Sequence, residues 1–300
     1  MRIATHTLSY NVSRFIPGVI DNAGPHVDKI FVAYSKRPWG YNPHARANFT
    51  NPTKIEEFRA AKYYDKIEFI EGDWDTDEGM RNACLERAKA QGFDWLIAQD
   101  ADEFYTEHSW RQIRHFLETA GEDVKHVKTT WYNYWKTAQY LLTYNHRGIK
   151  DTMATFAIRC HPEIHFARSR EPNVTGRTVL DTPAHHFGWA LSDEEMLIKV
   201  QTWMHTTQFD PMAWYKMKWL GWNEHTRNLD PVNPTFWRQA VRTPFELPDF
   251  AQQYAPSLEG HTVPPLSDYA ANIAYDLKHS VLARARYLRK SLRGDNGWSR

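Results

Sequence analysis

The sequence contains very little cysteine, because Cys84 and Cys160 are the only two in 300 residues. Small secreted proteins that depend on disulfides carry many more cysteines at regular spacings. We therefore expect no disulfide framework, and we expect both thiols to be reduced and structural in a cytoplasmic protein.

Long apolar segments are also missing. No run of residues approaches the roughly 20 that a membrane-spanning helix needs, and residues 1–6 contain no apolar core of a signal peptide. The formal net charge is only +1, which gives no general argument for binding nucleic acid or an anionic membrane. With 42% hydrophobic residues, the chain is long enough to bury a substantial core.

Aromatic residues, in contrast, are abundant: the chain has 13 Trp, 15 Tyr and 15 Phe. Most of them are expected in the core, where large rings contribute much buried area. The remainder provide flat surfaces of the kind that sugars or nucleotide bases stack on.

Residues 1–105 alternate between strand and helix patterns. Strands are predicted at residues 3–8, 29–34, 66–70 and 93–98. Helices are predicted at 12–22, with a late start because of Pro17, at 55–64, and from a cap at Asp75 or Thr76 to Gly92. Residues 36–53 have the composition of a long loop. This alternation predicts an α/β fold with a mostly parallel sheet and right-handed crossovers.

Three carboxylates, Asp100, Asp102 and Glu103, directly follow the fourth predicted strand. If the strand continues, Asp100 and Asp102 point to the same side, because side chains in a strand alternate. Ligands of such sheets bind beyond the carboxyl ends of the strands. The pair therefore predicts a site for Mg²⁺ or Mn²⁺ and the phosphates that the cation carries; the alternative is a solvated acidic loop.

Other polar residues follow the remaining strands. Thr7 and Ser9 come at the end of the first strand and Asp73 after the third, while Arg81 lies on the next helix, where it could reach a diphosphate. We interpret Thr7, Ser9, Asp73, Arg81 and Asp100 as candidates for nucleotide binding. Asp73 as a helix cap and Arg81 as a surface residue are the simpler alternatives.

The pattern changes after residue 105. A helix is predicted at 106–120, and strands at 124–134, 155–159, 164–167 and 178–180 suggest a mixed or antiparallel half that binds the acceptor.

Ser192 and Glu195 form a capping-box pattern, so a helix should begin there. His185 and His186 precede it, and we prefer His186 as a third metal ligand. Lys199 is a candidate phosphate contact, although a salt bridge with Glu195 is a simpler interpretation.

The sequence of residues 94–104, Asp-Trp-Leu-Ile-Ala-Gln-Asp-Ala-Asp-Glu-Phe, resembles the Asp-x-Asp segment of GT-A-fold glycosyltransferases, especially family 2-like proteins. Met80-Arg81-Asn82 and the His-His-Phe-Gly-Trp segment resemble other parts of that family. The resemblance covers roughly residues 1–205 and implies a Rossmann-like GT-A fold, a nucleotide-sugar donor and a divalent cation. It implies that Asp100 contacts ribose or metal, that Asp102 ligates the metal, and that a histidine completes the shell. Asn11-Val12-Ser13-Arg14 departs from the family, which usually has Glu after this Asn.

The implied reaction transfers a sugar from a UDP- or GDP-linked donor to a glycan, a lipid-linked, protein or modified-base acceptor. Transfer with inversion of the anomeric configuration needs a general base, and Glu171 and Asp193 are our candidates for it. Transfer with retention of that configuration remains an open alternative. Two other functions remain as alternatives. One is a protein acting on nucleic acid, including a glycosyltransferase of modified DNA bases, and the other is a non-catalytic carbohydrate-binding protein.

We place the catalytic domain at 1–228, with a nucleotide half at 1–105 and an acceptor half at 106–228. Residues 229–300 form an aromatic-rich extension, in which a proline-rich wrap precedes a helix at about 268–293. The end of that helix is basic: Arg284, Arg286, Arg289, Lys290 and Arg293. It is interpreted as a solvated helix end, or else as a peripheral contact with a membrane or nucleic acid.

Overall fold

The computed structural model describes residues 1–40, 42–144, 148–150, 154–176, 178–254, 270–279, 281 and 285. The strands are β1 (Ile3–Ser9), β2 (Lys29–Ser35), β3 (Ile67–Gly72), β4 (Trp95–Ala98), β5 (Glu103–Phe104), β6 (His126–Thr129), β7 (Trp131–Trp135), β8 (Thr137–Tyr144), β9 (Ala154–Arg159), β10 (Phe166–Arg168), β11 (Glu171–Pro172), β12 (Thr178–Val179), β13 (Ala184–Trp189) and β14 (Trp237–Arg242). The α-helices are α1 (Gly18–Ala23), α2 (Pro43–Asn48), α3 (Asp77–Ala90), α4 (Glu107–Thr119), α5 (Asp193–Thr202), α6 (Pro211–Trp214) and α7 (Asp249–Tyr254). A π-helical segment, Tyr215–Leu220, continues α6, and residues 270–279 are helical.

A seven-stranded sheet in the order β12-β6-β9-β4-β1-β2-β3 forms the centre of the molecule. Strands β1 to β4 are mutually parallel, and β9 runs antiparallel to both β4 and β6. With β12 parallel to β6, β9 is the one strand with opposite direction among the described strands of this sheet. Helices pack on both faces, so the fold is α/β and Rossmann-like, with a mostly parallel central sheet, as the sequence predicts.

A second, five-stranded sheet has the order β14-β8-β7-β13-β5. Strand β13 pairs parallel with β7 and antiparallel with β5. Because β4 belongs to the first sheet and β5 to the second, the chain passes between the sheets through the short turn at residues 99–102. The two sheets are thus joined at the acidic segment.

Helix starts follow local capping chemistry. Thr76 caps α3 by accepting a hydrogen bond from Gly79 N, and Thr106 caps α4 in the same way with Ser109 N. Ser192 and Glu195 form the predicted capping box at the start of α5. Gly92, with φ of 71°, lies in the left-handed region just beyond α3, which glycine adopts without steric cost.

Three apolar clusters hold these layers together. Two of the clusters lie on opposite faces of β1. Ile3 packs with α1 and α4 on one face, whereas Ala4 and Leu8 pack with α3 on the other. The third cluster contains most of the tryptophans and lies between the second sheet and the α5–α6 region. Its buried rings include Trp135, Trp189, Trp214, Trp219, Trp222 and Trp237.

Several predicted elements differ from those observed. Strand β4 ends at Ala98, so Asp100 and Asp102 lie in a turn, and the prediction that they share one face of a strand is wrong. Residues 36–53 include α2, because Asn42 caps it and Pro43 occupies its first turn. The histidine pair, predicted only to precede α5, lies within strand β13.

The C-terminal part contains more regular structure than expected. Residues 229–254 include β14 and α7, because β14 finds a hydrogen-bonding partner in β8, a strand absent from our prediction. Residues 255–269 and the basic positions Arg284, Arg286, Arg289, Lys290 and Arg293 lie outside the described residues. The domain boundary at residue 228 stays a prediction. Within the part of the chain described, there is no helix with the length and apolar character to cross a membrane.

Candidate functional site

The acidic turn lies beyond the carboxyl ends of β1 and β4, where an α/β sheet is expected to bind ligands. Gln99 N donates to His6 O across these two strands, and Glu103 N donates to Asp100 O to close the turn. Hydrogen bonds therefore hold the backbone of the turn, and its three carboxylates face arginine or histidine side chains.

Asp100 is held by two arginines. Arg81 from α3 donates from both terminal nitrogens to the two carboxylate oxygens, at 2.9 and 3.0 Å. Arg170, between β10 and β11, approaches Asp100 Oδ2 at 3.0 Å. Burial alone would raise the pKa of Asp100, but attraction from Arg170 and Arg81 outweighs burial and holds that pKa well below its usual range. Asp100 thus stays ionised as the partner of two arginines.

Glu103 is the most buried acid of the turn, with a side chain only 1% exposed. Arg170 contacts both of its carboxylate oxygens at 2.8 Å. Burial nevertheless raises the pKa of Glu103, and the nearby charge of Asp100 adds to this rise. Arg170 is therefore a buried bridge between Asp100 and Glu103, and its guanidinium also lies 5.3 Å from the centre of the Trp131 ring.

Asp102 faces His186, with 3.5 Å between Asp102 Oδ1 and His186 Nε2. The register of β13 against β5 creates this pair, because His186 is opposite Glu103 in the ladder and Phe187 N donates to Asp102 O at 2.8 Å. His186 Nδ1 is hydrogen-bonded to Asn133 on β7. Burial would lower the pKa of His186, but Asp102 outweighs that effect and raises it.

Gly188 leaves room for this contact. A Cβ at that position would lie 2.7 Å from Asp102 Oδ2 and 2.8 Å from His186 Nε2. These distances are far below ordinary van der Waals contact, so no other residue type fits without moving the pair. The Gly188 carbonyl also accepts a 2.7 Å hydrogen bond from Lys199 Nζ, and burial lowers the pKa of that lysine.

His6 completes the buried cluster from the β1 side. Its side chain is fully buried, and neither ring nitrogen has a hydrogen-bond partner among the described residues. Burial, assisted by the charge of Arg81, lowers its pKa well below the usual value. A neutral His6 thus lies among charged neighbours without adding a positive charge.

The charges of this cluster nearly balance. Asp77 lies 3.5 Å from Arg81 Nε, so four acids (Asp77, Asp100, Asp102 and Glu103) meet three basic side chains (Arg81, Arg170 and Lys199). One negative charge remains when all seven are ionised and His186 is neutral. The excess is located at Asp102, because Asp100 and Glu103 already contact arginines. A proton on His186 or a bound cation would neutralise it.

The predicted three-ligand metal set is not assembled in the described residues, where no group of three or more His, Cys, Asp or Glu side chains has suitable geometry. Both oxygens of Asp100 are engaged by arginines. Asp102 and His186 do suit a shared cation: one carboxylate oxygen and one imidazole nitrogen converge, and Asn133 orients the ring from its other side. Mg²⁺ typically binds through one or two protein ligands, with substrate phosphates and water completing its shell.

The other predicted site residues have the following positions. The hydroxyls of Thr7 and Ser9 are buried at the end of β1 and lack hydrogen-bond partners within the described chain. Asp73 pairs with Arg46 at 2.9 Å and Arg37 at 3.0 Å. Glu171 pairs with Lys128 at 2.8 Å, and Asp193 Oδ1 accepts from Trp219 Nε1 at 2.8 Å.

Sequence reasoning missed Arg170, Asn133 and Gly188, and it gave Glu103 and His6 no specific role. Glu103 had a signal, since it belongs to the acidic triplet. Arg170 and Asn133 had none, because their partners Asp100, Glu103 and His186 lie more than 50 residues away in the sequence.

No protein-family model matches the sequence, and no curated protein matches it. Solved structures with partial similarity include mannose-1-phosphate geranyltransferase from Thermus thermophilus, at 13% identity and a TM-score of 0.29 over 54% of this chain and 51% of that one. Another is 4-diphosphocytidyl-2C-methyl-D-erythritolsynthase from Anaerococcus prevotii, at 11% identity and a TM-score of 0.35 over 65% and 94%. A UDP-glucose pyrophosphorylase complexed with UDP-glucose matches at 9% identity and a TM-score of 0.27 over 59% and 74%. The chain spans only about half the length of the first structure, and similarity this weak carries no conclusion about its reaction.

Proposed function

We propose that this chain is a divalent-cation-dependent glycosyltransferase that uses a nucleotide-sugar donor. The observation that supports the proposal is the contact of Asp102 with His186, 3.5 Å apart beyond the sheet's carboxyl ends, beside Arg81 and Lys199. Carboxylate oxygen and imidazole nitrogen are common ligands of divalent cations. Nearby side chains with positive charge suit the phosphates that such a cation carries.

In this proposal Asp102 and His186 hold Mn²⁺ or Mg²⁺, and Asp100 has a different role from the metal ligand first predicted. It orients Arg81 and contacts the donor's ribose. The cation, when bound, supplies Lewis-acid stabilisation to the departing diphosphate. Arg81 and Lys199 offset further negative charge on that leaving group in a buried, low-dielectric setting. Thr7 and Ser9 supply buried hydroxyls for the nucleoside.

For the acceptor side we retain Asp193 as the general base of an inverting reaction. It is the first residue of α5, the helix that carries Lys199 into the site, and its side chain is 54% exposed. Glu171 fits less well, because Lys128 contacts both of its carboxylate oxygens. The base would take the proton of the acceptor hydroxyl as the sugar is transferred.

The test is calorimetric titration with UDP and GDP, with and without Mn²⁺, on the parent chain and on Asp102→Asn and His186→Ala. We expect one nucleotide to bind at least about tenfold more tightly with Mn²⁺, which corresponds to about 1.4 kcal/mol. Each substitution should remove that gain because it removes one ligand. Asp181→Asn, at an exposed acid paired with Lys150, is the matched control.

A nucleotide that binds equally well without metal, or a gain that survives Asp102→Asn, would reject the cation site. Hydrolysis of a panel of nucleotide sugars then tests turnover. Metal-dependent nucleotide binding without hydrolysis or transfer of any sugar would contradict the catalytic part of the proposal.

A further inference from the structure

The helix at residues 270–279 presents different faces to the protein and to solvent. On its inner face, Lys218 from the π-helical segment is fully buried and contacts Asp276 Oδ1 and Asn272 Oδ1, each at 2.5 Å. Asn272 also donates to the Met217 carbonyl at 2.7 Å, and Asn228 donates to Asp276 Oδ2 at 3.0 Å. The polar face of the helix is therefore attached to the domain.

The apolar face points outwards. Ile273, Leu277 and Val281 are 61%, 65% and 66% exposed. Residues spaced by four lie on one side of a helix, so these three side chains form a stripe, which we call the apolar patch. Burial of polar residues with exposure of apolar ones is the reverse of the usual arrangement of a surface helix.

The charges that follow Asp276 in the sequence have one sign as far as Arg293. Asp276 is neutralised by Lys218, and the sequence after it contains Lys278, Arg284, Arg286, Arg289, Lys290 and Arg293 with no acid before Asp295. Arg284 and the basic residues after it lie outside the described residues, but their charge is a property of the sequence. An exposed apolar stripe on a helix that contains Lys278 and is followed in the sequence by basic residues matches an interface of anionic lipid headgroups and acyl chains.

We propose that the apolar patch docks the protein on an anionic membrane surface, with Ile273, Leu277 and Val281 inserted at the headgroup level. Two other occupants fit less well. Nucleic acid would use the positive charge but not the apolar stripe, and a second copy of the helix would place two basic segments together. The proposal does not depend on the catalytic function.

The experiment is sedimentation of the full chain with vesicles of phosphatidylcholine alone, or with about one third phosphatidylglycerol. We expect binding only to the anionic vesicles and weaker binding at about 0.5 M salt, where charges are screened. The triple variant Ile273→Gln, Leu277→Gln, Val281→Gln should lose about tenfold or more in partitioning. Val179→Gln with Met212→Gln, at exposed apolar residues elsewhere, is the matched control and should bind normally.

Circular dichroism and thermal unfolding must show the same fold for all variants, since the substituted side chains are exposed. Undiminished vesicle binding by the triple variant would overturn the proposal. It would also be overturned by salt-dependent DNA binding without vesicle binding, or by a dimer that the triple variant abolishes without any vesicle binding.

Discussion

At the scale of single residues, Asp100 and Asp102 differ in role although they are two positions apart. Asp100 makes charge-assisted hydrogen bonds to Arg81 and an ion pair with Arg170, whereas Asp102 faces His186. A carboxylate that already accepts two hydrogen bonds from Arg81 and pairs with Arg170 would lose those contacts on binding a cation. The second acid of the motif is therefore the one suited to metal.

Gly188 allows a direct test of that pair. Gly188→Ala places a methyl group 2.7 Å from Asp102 Oδ2 and 2.8 Å from His186 Nε2, so one or both of these side chains must shift. We expect the Mn²⁺-dependent gain in nucleotide affinity to fall about tenfold or more, with the fold retained. Calorimetric titration measures the first quantity and thermal unfolding the second.

Gly79→Ala in α3 is the matched control, because its added methyl group meets its nearest neighbours at 3.4 Å, an ordinary contact. Alanine in a helix is favoured over glycine by about 0.5–1 kcal/mol, so stability should not fall. An equal Mn²⁺-dependent gain in nucleotide affinity in Gly188→Ala and Gly79→Ala would argue against a cation between Asp102 and His186.

At the scale of elements, the turn between β7 and β8 carries a buried charge. Lys136, with φ of 59°, extends its ammonium to within 4.3 Å of the Trp219 ring centre and 3.4 Å of Asp193 Oδ1. Burial lowers its pKa to about 8, despite the attraction of Asp193. The protonated side chain is therefore a cost to the folded state at neutral pH.

The sign of the pH dependence follows from that shift. Between pH 8 and 10.5 the unfolded chain keeps a proton that the folded chain has released, so this group makes stability rise with pH across that window. Lys136→Met should be more stable than the parent at pH 7, by roughly 2–3 kcal/mol. The advantage should disappear as pH approaches 10.5.

Urea unfolding of both chains from about pH 7 to the ordinary lysine pKa of about 10.4 checks this prediction, with the exposed Lys216→Met as a control that should follow the parent. A difference in the free energy of unfolding between Lys136→Met and the parent that stays constant across this pH range would contradict the prediction. A destabilised Lys136→Met at neutral pH would show instead that the contacts with Trp219 and Asp193 exceed the cost of burial.

At the scale of the whole molecule, the two thiols report on the integrity of the fold. Cys84 lies on the buried face of α3, and burial raises the pKa of both Cys84 and Cys160 to about 12. Because the thiolate is the reactive form, both should label very slowly with a disulfide reagent at neutral pH. Denaturant should release both thiols together if the molecule unfolds cooperatively.

Glutathione under the same conditions provides the reference rate of an unprotected thiol. Labelling of one cysteine in the native chain at that rate would contradict the predicted protection. Loss of one thiol's protection at lower denaturant would show that its part of the molecule opens independently.

The amino-acid pattern alone predicted the α/β class, a helix cap at Asp75 or Thr76, the cap at Ser192 and the acidic segment after the fourth strand. These features depend on periodicity and on hydrogen bonds between residues close in the chain. The contacts of Arg170 with Asp100 and Glu103, and of His186 with Asp102, became known from the folded structure. Those contacts depend on which distant strands pair and in which register, and local sequence patterns do not specify that choice.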